Sequence, residues 1–206
     1  NTYSTSGIAT SGSHQTIFGG GLYDAFIVKF NSSGVRQWGT YYGGSTTDYG
    51  RGIICDVYGN VLITGETNST SGIATSGSHQ ITCGGSSDAF IVKFNSSGIR
   101  LWGTYYGGSS ADAGYGVSCD ASGNVLISGP TSSVLGIASS GAYQSTNGGN
   151  SDAFVAKFNS NGVRQWGTYF GGSNSDYARG ITCDGSGNVF ITGETTSTSG
   201  IAASGS

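Results

Sequence analysis

Charge is scarce in this sequence: only 9% of residues are Asp, Glu, Lys or Arg, against roughly a quarter in an average soluble domain. Lys and Arg number 8 and Asp and Glu 11, for a net charge of −3, and no basic cluster stands anywhere along the chain. Neutralising phosphates takes concentrated positive charge, so no nucleic acid and no anionic membrane surface is expected as a partner. Long apolar runs are missing too. The longest are fragments such as Ala25 to Val28 and Val61 to Ile63, far short of the ~18 residues a spanning helix needs, so no membrane insertion is expected. No helix-length segment of period 3.6 occurs, proline appears once and methionine not at all. With Asn1 first and no charged-then-apolar leader, the sequence reads as a processed or excised stretch of protein.

What fills the space is glycine, 39 of 206 residues, with Ser, Thr and Asn carrying the polar surface. That composition points to a secreted or cell-surface protein. Its organisation is a repeat. Asp24-Ala-Phe-Ile-Val-Lys-Phe-Asn31 recurs at Asp88 to Asn95 and, slightly varied, at Asp152 to Asn159, a period of 64 residues that also carries Trp38, Trp102 and Trp166. Four short β-prone runs fill each unit: 52–56, 60–67, 88–95 and 99–107 in the second. Asp56-Val-Tyr-Gly-Asn60 and Asn95-Ser-Ser-Gly98 join them in pairs, each opening on Asp or Asn and placing Gly where a turn needs positive φ, so two tight hairpins are expected.

Strand faces decide the architecture. In Asp24 to Phe30 one face holds Phe26, Val28 and Phe30 and the other Ala25 and Ile27, so the sheet needs cover on both sides. Four-stranded antiparallel blades stacked around an axis meet that need. The expected fold is therefore all-β, a β-propeller-type array of about three blades.

The motifs Gly-Asn-Val-(Leu/Phe)-Ile-(Thr/Ser)-Gly, Asp-Ala-Phe-(Ile/Val)-(Val/Ala)-Lys-Phe-Asn and Gly-Thr-Tyr-(Tyr/Phe)-Gly-Gly-Ser resemble the SBBP family of bacterial β-propeller repeats, over the whole chain. The resemblance implies blades and an extracellular setting, and no defined activity. Departures from the pattern are Pro130 in place of Glu66 and Glu194, and Tyr115 in place of Arg51 and Arg179.

By analogy with other propellers, 52–56 is placed innermost and 99–107 outermost. The chain then divides into a loop and outer half-blade (1–49), two full blades (50–113 and 114–177) and an inner half-blade with its loop (178–206). Three blades are fewer than the usual minimum of about 4 for a closed ring. Copies of the same chain, or further repeats of it, are therefore expected to complete the halves along the edges carried by Asp24, Phe26, Val28, Phe30, Val189 and Ile191. Head-to-tail joining gives a ring or a filament, and the filament is favoured. Ser6 to Ser13 and Ser199 to Ser206 are copies of one loop, which suggests neighbouring protein at both ends.

Candidate chemistry is sparse. Cys55, Cys119 and Cys183 share one strand position and are expected as buried fillers, while Cys83 stands alone in a loop, free for intermolecular pairing in an oxidising compartment. His14 and His79 are equivalent loop residues, and no zinc or other metal site is expected. Asp24, Asp88, Asp152 and Asp56, Asp120, Asp184 bound strands and are expected to cap turns. Asp48, Asp112 and Asp176 lie in the Gly-Gly-Ser-x-x-Asp connections beside the long loops 68–87 and 132–151; they are the candidate ligand contacts, for a glycan if any. The Trp38 series is expected to pack between blades. Asn31, Asn68 and Asn95 match the glycosylation acceptor pattern. Catalysis needs unlike groups converging on one point, whereas a copied blade offers the same group at every station, so no enzyme, no catalytic residue and no cofactor is expected.

Overall fold

The computed structural model describes residues 1–202 and is all-β, with twelve strands among those residues. In chain order these are β1 (Ala25–Phe30), β2 (Arg36–Tyr42), β3 (Asp48–Cys55), β4 (Val61–Thr67), β5 (Asp88–Phe94), β6 (Arg100–Tyr106), β7 (Gly116–Cys119), β8 (Val125–Thr131), β9 (Asp152–Phe158), β10 (Arg164–Phe170), β11 (Asp176–Cys183) and β12 (Val189–Thr195). Two four-stranded antiparallel sheets, β3-β4-β5-β6 and β7-β8-β9-β10, lie between two hairpins, β1-β2 and β11-β12. No ring closes. The last four residues of the duplicated segment Ser199 to Ser206 lie outside the described residues.

The turns form as their residues dictate. Asp56 Oδ1 accepts from the Tyr58 and Asn60 amides at 3.0 and 2.8 Å, with Gly59 at φ 78°; Asn95 Oδ1 does the same for Ser97 and Ile99. The innermost strands pack on one another, β3 on β7 and β7 on β11. The inner strand starts earlier than the sequence pattern indicated: β3 begins at Asp48 rather than Gly52, because a register shift between Gly50 and Gly52 lets the strand continue past Arg51. In the next blade β7 is only four residues long, reduced to an isolated bridge at Asp112 and Thr131. Pro130 is the cause. Its carbonyl accepts from the Ala113 amide at 3.1 Å, but proline has no N–H to return the bond.

Blades stack through large apolar faces. Ala25, Ile27, Trp38 and Tyr42 meet Ile63, Phe90, Val92 and Phe94 of the next blade, and the same layer repeats one period on with Leu62, Ile91, Trp102 and Tyr106 against Phe154 and Phe158. Trp38 Nε1 donates to the Ser96 carbonyl at 3.1 Å and Trp102 Nε1 to Ser160 at 3.0 Å, so each indole clips the following blade's hairpin turn. That turn must pass over the ring, since a Cβ on Gly98 would stand 2.9 Å from Trp38 Cδ2.

One sequence occurs both with and without a neighbour. Asp24 to Asn31 and Asp88 to Asn95 are identical, yet Phe90 and Phe94 are 0% exposed while Phe26 and Phe30 are 42% and 59% exposed. The matching contrast at the other end is Leu62 at 0% against Phe190 at 54%. Removing Phe90 leaves a cavity and removing Phe26 does not, so in the unassociated chain Phe90→Ala should cost about 3–5 kcal/mol in denaturant unfolding, and Phe26→Ala below about 1 kcal/mol.

Candidate functional site

The proposed ligand contacts Asp48, Asp112 and Asp176 are 0%, 1% and 2% exposed, and their oxygens are turned inward. Asp48 Oδ2 accepts from the Gly44 amide at 2.8 Å and Ser69 Oγ at 3.0 Å, and Oδ1 accepts from Thr67 Oγ. Asp112 and Asp176 hold Gly108 with Ser133 and Gly172 with Ser197 in the same way. Each carboxylate thus fastens the inter-blade connection to the start of the long loop. These acids face the loops from below, and the surface offers no lone pair of theirs.

Asp24, Asp88 and Asp152 are the second half of the same arrangement. Asp24 Oδ2 accepts from the Gly19 amide at 2.7 Å and from Gln15 Nε2 at 3.1 Å, while Gln15 Oε1 accepts from the Gly43 amide. A Cβ added to Gly43 would stand 2.6 Å from Asp48 Oδ2 and 2.8 Å from Asp24 Oδ1, so glycine is what lets both carboxylates close on the chain. Gly107 and Gly171 sit between Asp88 and Asp112 and between Asp152 and Asp176 in the same way. The sequence treated these series as separate, a strand boundary and a loop contact; the fold brings them together. The signal that joins them is the Gly-Gly step at fixed distance from both acids, which spacing alone did not decode.

Burial raises the carboxyl of Asp48 to about 6, against the hydrogen bonds from Thr67, Gly44 and Ser69, and the charge of Asp24 adds to it. Burial likewise raises Asp24, Asp88, Asp112 and Asp152. Oδ1 of Asp24, Asp112, Asp152 and Asp176 has no hydrogen-bond partner. Among the described residues no group of three or more His, Cys, Asp or Glu is placed to hold a metal ion. Asp56 and Asp120 behave oppositely: burial opposes their charge, but the Asn60 and Lys93 contacts of one, and the Asn124 and Lys157 contacts of the other, carry both below the usual carboxylate range.

Other candidates resolve into packing. His14 lies against Tyr42 and Phe94 at 5.9 and 5.6 Å, and burial with the charge of Arg100 lowers it to about 4; His79 repeats the contact with Tyr106 and Phe158. Cys55 is exposed and Cys119 and Cys183 half-buried, correcting the expectation of buried fillers: no preceding blade covers Cys55, and the Cys183 thiol rests on the Cys119 carbonyl at 3.3 Å. Cys83 faces the Thr67 and Gly85 carbonyls, and burial pushes its thiol up to about 11. Asn31 and Asn95 spend their side chains on turns, and Asn68 Nδ2 donates to the Ser86 carbonyl. Trp38 and Trp102, each 9% exposed, are covered by the next blade.

Along the inner strands runs a row that the sequence reading missed. Arg51 pairs with Glu66 at 2.8 Å and Arg179 with Glu194 at 3.1 Å, and between them the Tyr115 ring lies 4.8 and 5.0 Å from the two guanidinium carbons. The two departures from the repeat therefore belong together, Tyr115 and Pro130 replacing both halves of one ion pair.

Of the proposed assembly-edge residues, Phe26 and Phe30 are exposed and Val28, Val189 and Ile191 half-buried. Asp24 departs from them. It is 0% exposed, and its backbone already bridges Thr2, with N–H to O distances of 3.1 and 3.4 Å.

A family profile described as a beta-propeller repeat, SBBP, matches residues 37–73 and 165–201. Each matched stretch runs from an outer strand through the Gly-Gly connection and the next inner hairpin into the long loop, so it contains Asp48 or Asp176 with its Gly and Ser donors. Among curated proteins none matches the chain.

A carboxyl raised on folding adds stability below its unfolded value, near 3.9, that is lost as pH rises through its folded value, about 6 for Asp48. The thermal midpoint of the wild type should therefore fall between about pH 4 and 6 more than that of Asp48→Asn, which cannot ionise. The difference is on the order of 1–3 kcal/mol at most, and parallel pH profiles would show that Asp48 stays at its ordinary value.

Proposed function

We propose that this chain, an array of SBBP-family β-propeller repeats, is a non-catalytic structural scaffold whose open half-blades are completed by further copies or further repeats of the same chain. The observation that carries the reading is the pair of identical segments described above, buried in β5 and open in β1. A strand pair apolar on both faces is stable only when covered, and an uncovered edge templates pairing. Both ends of the array present such a surface, and the two are complementary: β1-β2 is an outer pair and β11-β12 an inner pair.

Head-to-tail joining of unlike surfaces closes into a ring or runs on as a filament. Two copies make six blades, within the usual span of about 4–8. The low charge and the Ser, Thr and Asn surface support an extracellular setting. A non-catalytic role is supported by the acids, which recur at each blade in the same buried setting and serve as hydrogen-bond acceptors for the connections. A glycan-binding role has less behind it, because two of the three indoles that would stack on sugar, Trp38 and Trp102, are spent between blades.

Light scattering over a concentration series should show mass growing in multiples of the chain, with rings or fibres by electron microscopy. A dispersed monomer at the highest concentration reached would end the reading.

A further inference from the structure

We infer that the hollow lined by Glu66, Ala113, Pro130 and Tyr177 is a binding site for one neutral sugar ring, built where the β7-β8 hairpin departs from the repeat. The site goes beyond the scaffold reading and stands whether or not the chain associates.

Copied blades copy their surfaces, so a site that does not repeat must come from residues that are not copied. The inner hairpins on either side agree with each other at Tyr49 and Tyr177, at Arg51 and Arg179 and at Glu66 and Glu194, where this hairpin has Ala113, Tyr115 and Pro130. Its other changes at agreed positions, Val117 for Ile53 and Ile181 and Ser128 for Thr64 and Thr192, keep the chemistry. All of the unlike residues, Ala113, Tyr115 and Pro130, line one cavity of about 190 Å³. Ala111 and Ser132 line it too, and each is smaller than its counterparts, Thr47 and Ser175 or Asn68 and Thr196. One period earlier the Tyr49 ring lies 5.4 Å from the ring of Tyr23, whose counterpart here is Ser87. Two rings fill that earlier place, and Ala113 with Ser87 leave this one open.

The lining sets the ligand class. Ala111, Ala113 and Pro130 are apolar, while Ser87, Ser132 and Tyr177 bring hydroxyls. Charge is balanced around them. Glu66 is paired with Arg51 at 2.8 Å, Asp112 Oδ2 holds the Gly108 amide and the Ser133 hydroxyl, and Arg51 and Arg179 lie 4.8 and 5.0 Å from the Tyr115 ring. With fixed charges of both signs at the hollow, neither an anion nor a cation is preferred. Hydroxyls both donate and accept, and beside apolar surface and a tyrosine they suit a ligand with hydroxyl edges and C–H faces, which is a pyranose. The volume falls below the roughly 300 Å³ at which drug-sized sites begin, so it takes one ring. Glu66 belongs to β4, Pro130 to β8 and Tyr177 to β11, so the occupant touches three sheets.

The clefts beside Trp38 and Trp102 show the contrast. They recur one period apart, with Thr10 to Ser13 and Ser96 in one and Thr75 to Ser78 and Asn161 in the other, as features of stacked copies do. Neither has a residue that sets it apart from its copy in the way that Ala113 and Pro130 do.

Amide chemical-shift titration of the isotope-labelled full chain tests the site, with glucose, galactose, mannose and N-acetylglucosamine and the methyl glycoside of each. At least one should give saturable shifts confined to the amides around Ala111 to Tyr115, Ser132, Ser151 and Tyr177, with a dissociation constant on the order of 1 mM for so small a ligand. Ala113→Tyr and Pro130→Glu install residues that the flanking hairpins already carry, so the blade keeps its fold, and each should weaken binding more than about tenfold by filling the hollow. Ser76→Ala, in the cleft beside Trp102, should change nothing. A methyl glycoside that binds as well as its free sugar assigns a glycan chain end, and binding lost on methylation assigns the free sugar. The site is overturned by the absence of saturable shifts with all of these sugars, or by binding unchanged in Ala113→Tyr and Pro130→Glu. Acetate or methylammonium moving the same amides more strongly overturns the neutral class. None of these outcomes bears on self-association.

Discussion

Everything in this molecule follows from sheets that are apolar on both faces. A blade such as β3-β4-β5-β6 cannot bury Phe90 and Phe94 on one side and Leu62 and Ile91 on the other by itself; it needs a blade before it and a blade after it. Stability is accordingly a property of neighbours, as in other repeat architectures, and the unit that folds is the interface as much as the blade. With few charges and no helices among the described residues, little else is available to hold the chain.

Stacking leaves one problem, which is how a chain crosses from one blade to the next without burying unmet backbone groups. The Asp24-Gly43-Asp48 arrangement and its two copies answer it. Carboxylates accept where the connection's amides point, and glycine yields the space they need. The cost is two buried acids with no cation against them, expressed in the raised carboxyl of Asp48. The Asp56 and Asp120 turns meet the opposite fate because Asn60 and Asn124, and then Lys93 and Lys157, donate to them. One side-chain type therefore serves two roles in one repeat, divided by the donors that stand against it, since Asp184 too is held below the usual carboxylate range by Asn188 and the amides of its turn.

That division marks where the sequence was legible and where it was not. Period, strands, hairpins and blade number could be read because they depend on residues a few positions apart: alternation in Ala25 to Phe30, or Asn and Gly in Asn95 to Gly98. The burial of Asp48 could not be, because it is set by Thr67 and Ser69, reached only once β4 has folded back on β3. The same holds for Cys55, whose exposure depends on a blade that would precede it, and for the early start of β3, which needs a bulge at Arg51 that no turn residue announces.

The third blade shows how far the repeat tolerates change when change is paired. Replacing Glu by Pro130 alone would strip the neighbouring arginine of its partner and the inner strand of a donor; replacing Arg by Tyr115 alone would strand a glutamate. Together they remove a whole ion pair, and Tyr115 gives its ring to the guanidinium groups of Arg51 and Arg179 on either side. The backbone bond that Pro130 cannot make is lost only from the inner strand, where β7 shortens, while β8 keeps its full pairing to β9. The inner edge can give way because its strands are held by blade-to-blade packing, whereas the β8-β9 pairing joins the two hairpins of a blade.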